Sequence, residues 1–73
     1  MKILTDADVG DTVKVKSNSA NGSLKERLLA LGVTSGALIE VLRKGPANNL
    51  TVYRIRGAMI ALRHEEARQI EIV

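Results

Sequence analysis

The chain contains no cysteine, no phenylalanine and no tryptophan. Without cysteine there is no disulfide, no thiolate metal site and no cysteine nucleophile. Tyr53 is the only aromatic residue, so the core must be aliphatic and no surface can work by stacking on several rings. Long apolar runs are missing too. Met1-Lys2-Ile3-Leu4 is followed by Asp6 and Asp8, and nothing reaches the roughly 7–15 residues of a secretory signal or the about 20 of a membrane span. The absences predict a cytosolic protein.

What is present fits one small domain over residues 1–73, 45% hydrophobic and 26% charged. That balance belongs to a packed globule and not to a disordered tail. A chain of this length buries only about 60% of its unfolded surface, so its stability is modest. Eleven Lys and Arg against eight Asp and Glu give a net charge of +3, with no block of like charges that would make a nucleic-acid-binding tail.

Thr12-Val13-Lys14-Val15-Lys16 alternates, placing Val13 and Val15 on one face of a first strand. Ser23 and Glu26 stand at capping-box spacing, and Leu24, Leu28 and Leu31 form one apolar stripe of a helix that ends at Gly32. Such a short helix needs a sheet to lie against. Strands are predicted at 37–43, 51–56, 59–63 and 69–73, with a loop at 45–49, a tight turn at Gly57 and a single helical turn at 64–67. Five short strands and one helix point to a mostly β, partly open barrel, with a sandwich-like α+β arrangement as the alternative.

The candidate sites follow from residue chemistry. His64 is the only histidine and starts the last helical turn beside Glu65 and Glu66, which diverge by about 100° and make no acid–base pair. No catalytic residue, resident cofactor or metal site is expected; His64 offers at most a weak site shared with another copy. Tyr53 alone cannot line a proline-peptide groove. Lys14 and Lys16, and Arg54 and Arg56, each share a strand face, and pairing of those strands would make a four-cation patch for phosphate. Phosphate-driven nucleic-acid binding is therefore the alternative function. Lys25, Arg27 and Leu29 on the helix, with Thr34, Ser35 and Gly36 after it, form the most distinctive surface for a protein partner, to which Arg54 and Arg56 are added. Leu29 either widens the core face or stands out as an exposed anchor.

The ordered series resembles the FeoA family: a Leu-rich helix ending in Leu31-Gly32, a turn at Gly36, a strand to Val41-Leu42-Arg43, the Pro46 loop, a hairpin through Gly57, Ile60-Ala61-Leu62-Arg63, Glu66-Ala67 and Ile70-Glu71-Ile72. It covers about Val9 to Val73. Ser35 stands where many members carry proline, and Leu50 where a second proline is common. The resemblance implies an SH3-like barrel of about five strands, with the helix inserted after the first strand and one helical turn before the last. It also implies a role in bacterial ferrous iron transport as a small cytosolic accessory protein. The implied partner is the membrane transporter FeoB, bound through its GTPase-containing cytosolic part, at the inner face of the membrane. FeoA-like domains also end metal-dependent repressors; with Met1 at its start and no DNA-binding region, this chain resembles the stand-alone form.

Overall fold

Alternation of branched residues marks the longer strands, and the computed structural model describes residues 2–73. In chain order the elements are β1 (Lys2–Ile3), β2 (Thr12–Asn18), α1 (Gly22–Ala30), β3 (Leu38–Lys44), β4 (Leu50–Ile55), β5 (Ala58–Arg63), α2 (His64–Ala67) and β6 (Ile70–Ile72). Short 3-10 segments occupy Leu4–Asp6 and Pro46–Asn48. The strands form one antiparallel sheet in the order β1-β6-β2-β3-β4-β5.

Among the described residues the sheet has six strands, close to the about five expected. The extra strand, β1, has only two residues and pairs Lys2 with Ile72 and Ile3 with Glu71. It is too short to show an alternating pattern in sequence. Register shifts between Val15 and Ser17 in β2, and between Val41 and Arg43 in β3, bend the sheet. β2 is shared between two halves. Thr12–Lys14 pair with β3, while Val15, Ser17 and Asn18 pair with β6.

Bending brings Val15, Ile39, Val41, Tyr53, Ile55, Leu62 and Ile70 together as a buried core, closed by Leu28 from α1 and Leu4 from the N-terminal 3-10 segment. As the aromatic-poor composition predicts, this core is aliphatic around a single ring. Tyr53 is buried with Thr51 beside it. Burial pushes the Tyr53 phenol above its ordinary value, and the Thr51 hydroxyl partly offsets the shift.

Helix α1 starts one residue before the predicted Ser23 cap. Asn21 is the N-cap and gives no side-chain bond. Asn18, at the end of β2, ties the approach instead: its Oδ1 accepts from the Ala20 N–H at 3.1 Å, and its Nδ2 donates to the Lys25 carbonyl at 3.4 Å. At the other end Gly32 has φ +99°. Its N–H donates to the Leu29 carbonyl and the Val33 N–H to the Leu28 carbonyl, closing the helix as the sequence predicts. Only Leu28 of the leucine stripe is fully buried, with Leu24 and Leu31 half-buried.

Helix α2 is held to α1 by one carboxylate. Glu66 accepts from the Arg63 N–H at 2.9 Å and from the Arg27 guanidinium at 3.0 Å. The backbone N–H of Arg63 is the main cause that holds the Glu66 carboxyl below its ordinary range, against a smaller opposing effect of burial, with Arg27 adding to the lowering.

Candidate interaction surface

Where β4 turns into β5, Arg56 and Gly57 carry φ of +51° and +80°. With Ile55 opposite Ala58, this is a two-residue type I′ hairpin. Arg56 therefore lies in the turn, not on the strand as its alternation with Arg54 suggested. Its side chain swings over the end of α1. A Cβ on Gly32 would stand 2.7 Å from Arg56 Cδ, so the absence of a side chain at Gly32 is what lets the arginine lie there. The Arg56 Nη2 donates to the Thr34 hydroxyl at 3.3 Å.

Leu29, Thr34, Ile55 and Arg56 line a groove of about 460 Å³ between the α1 C-terminus and the hairpin. Leu29 is 43% exposed, which decides between its two readings: it is an exposed apolar group and not a widening of the core face. Arg56 also borders a second groove of about 190 Å³, with Leu38, Glu40, Arg54 and Thr12 on its walls. Leu38 is 60% exposed. The result is a continuous amphipathic strip with two exposed leucines flanking Arg56.

The eight residues singled out from sequence divide accordingly. Leu29, Thr34, Arg54 and Arg56 come together on this strip. Ser35 and Gly36 adjoin it in an exposed turn, where the Gly36 N–H donates to the Val15 carbonyl at 2.8 Å. Arg27 is committed to Glu66, on the α2 side of the helix. Lys25 is exposed near the start of α1, and no side-chain bond joins it to the strip among the described residues. Leu38 was missed, although alternation with the inward Ile39 and Val41 marks it as outward-facing.

The four-cation patch does not form. β2 and β4 do not pair because β3 lies between them. Glu40 on β3 stands opposite both Thr12 and Arg54, and it pairs with the Arg54 guanidinium at 3.0 Å. The strip thus carries one compensated arginine and one without a carboxylate partner among the described residues.

His64 begins α2 at the surface, its N–H donating to the Asn49 carbonyl at 3.2 Å. With Thr5, Lys44, Thr51 and Tyr53 it borders a cleft of only about 30 Å³. Among the described residues no three His, Cys, Asp or Glu side chains gather as a metal-binding group. No helix among them is long and apolar enough to cross a membrane.

Comparison with known proteins places this geometry. The FeoA domain family matches residues 2–73. The solution structure of the FeoA protein from Chlorobium tepidum is 30% identical, superposes with a TM-score of 0.89, and is covered over 67% of its length by 96% of this chain. The zinc complex of Stenotrophomonas maltophilia FeoA, described as a procaryotic SH3 domain protein, has the same fold at a TM-score of 0.89 and 23% identity, over 100% of this chain and 91% of that one. A curated relative, the Fe(2+) transport protein A/Fe(2+) transporter FeoB fusion protein of Porphyromonas gingivalis, is 29% identical over 69 residues. The match takes 94% of this chain and only 8% of the fusion protein.

Proposed function

The chain belongs to the FeoA family of ferrous iron transport, with its SH3-like fold, and from that premise we propose that it acts as an accessory domain that docks on the cytosolic, GTPase-containing part of a FeoB-type transporter and modulates uptake. Supporting the choice of partner, FeoA and FeoB are joined in the Porphyromonas gingivalis fusion protein.

The observation that carries the reading is the strip around Arg56. Leu29 at 43% and Leu38 at 60% exposure are large apolar groups held outward by a helix and a strand that are otherwise well anchored. Exposed leucines beside an arginine without a carboxylate partner are the ingredients of an anchor site for a protein partner. Of the arginines considered, Arg27 and Arg54 are each neutralised by a carboxylate, while Arg56 has only the Thr34 hydroxyl among the described residues. Arg56 is the cation offered to the partner. The domain acts by binding one conformation of the transporter better than another, which shifts their populations without a reacting group of its own.

The test is titration of the chain against the transporter's cytosolic domain, with and without guanine nucleotide. Leu29→Asp and Arg56→Ala are each expected to weaken association by roughly tenfold or more, the factor carried by 1.4 kcal/mol, while the thermal melt of the isolated chain stays in place. Absence of association in every nucleotide state refutes the reading.

A further inference from the structure

β5 forms one end of the sheet, paired with β4 on one side only. The type I′ turn fixes which of its backbone groups are used. Ile55–Ala58 closes the hairpin as a hydrogen-bonded pair, so Ala58, Ile60 and Leu62 direct their N–H and C=O groups at β4. Met59, Ala61 and Arg63 direct theirs away from the sheet. The Arg63 N–H is taken by Glu66, whereas Met59 and Ala61 have no backbone partner on that side among the described residues.

Such an edge is ordinarily protected by lysine, proline or a bulge. Residues 58–62 read Ala-Met-Ile-Ala-Leu, with no charge and no proline, and their pairing with β4 runs unbroken. The bulges fall in β2 and β3 instead. Met59 is 68% exposed, an apolar side chain of this size left in water beside unpaired backbone.

We propose that the β5 edge pairs antiparallel with the β5 edge of a second copy of this chain, about a two-fold axis through Ile60. The accessible stretch Met59-Ile60-Ala61 is sterically self-complementary about that residue. Met59 then faces Ala61 of the second copy, a large side chain against a small one, while Leu62, buried in its own core, and Arg63, its N–H taken by Glu66, stay outside the pairing. In this register Met59 and Ala61 form the hydrogen-bonded pairs, and each pair exchanges both of its N–H···O bonds. The backbone groups left free by β4 are those the pairing uses. The two Met59 side chains become diagonal neighbours across the axis, a separation of about 7–8 Å that methionine can bridge. Shifting the register by one residue would oppose the edge's unpaired groups with groups already committed to β4.

Sedimentation of the chain across a micromolar-to-millimolar series, with amide hydrogen exchange at both extremes, tests the proposal. The expected result is a mass that doubles with concentration, and protection of the Met59 and Ala61 amides in the concentrated sample only. Ala61→Pro removes an outward N–H that the fold itself does not use, and is expected to abolish the doubling. Met59→Lys tests the same edge at an exposed side chain, placing like charges diagonal to each other. It is expected to keep the chain monomeric with an unchanged melt. A monomer at every concentration overturns the proposal, as does a dimer that survives Met59→Lys. Protection of these amides that appears only when a transporter domain is added also overturns it, since the edge would then serve that partner.

Discussion

Replacing Gly32 with alanine separates two demands that the structure places on one position. The first is conformational: φ is +99°, where a side chain costs about 1–2 kcal/mol. The second is spatial, because the new methyl would stand 2.7 Å from Cδ and 2.8 Å from Nε of Arg56. Arg56 is exposed and long, so it swings away at little cost and gives up the Thr34 hydroxyl. Stability should fall by about 1–2 kcal/mol, equivalent to roughly 4–16 °C in melting temperature for a domain of this size. Urea unfolding of Gly32→Ala, Arg56→Ala and the double variant separates the contributions. If the backbone dominates, the Gly32→Ala loss is the same in both backgrounds to within about 0.5 kcal/mol. Transporter binding, in contrast, should suffer from Gly32→Ala only when Arg56 is present. A stability loss below about 0.5 kcal/mol, the range of an ordinary surface change, would refute the reasoning.

Three other expectations can be checked on the isolated chain. Leu28→Ala removes a fully buried side chain where α1 meets the sheet and should cost about 2–5 kcal/mol in urea unfolding, a large part of a small domain's stability. Because its folded-state pKa is depressed, Glu66 contributes stability that is complete above the ordinary value of 4.5 and lost as pH falls through the lowered one; Glu66→Gln should flatten thermal stability against pH in that acid range. Tyr53 has a raised value, so its contribution is complete below 10.0 and declines as pH rises through the folded-state value. Phenolate absorbance from this sole aromatic residue should appear later in the folded chain than in urea.

Most of the architecture was legible because its signals are local. Alternation marked β2 through Val13 and Val15, branched residues marked β3, and Gly32 marked the end of α1. β1 escaped because two residues carry no period; its existence depends on β6, which lies at the far end of the sequence. The Ser23 cap misled because a capping pattern records only what a side chain can do, while Asn18, reaching from β2, already ties down the approach to the helix. The interaction strip was partly legible: residue type picked out Leu29 and Arg56, but their meeting depends on a hairpin turn that carries Arg56 off its strand. The cation patch failed on strand order. No local pattern tells which strands are neighbours, and Glu40 entered between the two basic pairs only through the topology.

β6 has three residues, yet it fills the slot between β1 and β2, with Ile70 and Ile72 both in the core. A wedge inserted last holds the surrounding stones of an arch. On the ribosome, the segments before it emerge with the β1 and β2 edges that β6 will join still unpaired with it. Closure of that half of the sheet must therefore wait for residues 70–72, and a chain cut short before them loses the seat of β1 as well as β6 itself. Deleting Lys2 and Ile3, in contrast, should remove β1 and leave the pairing of β6 with β2 in place.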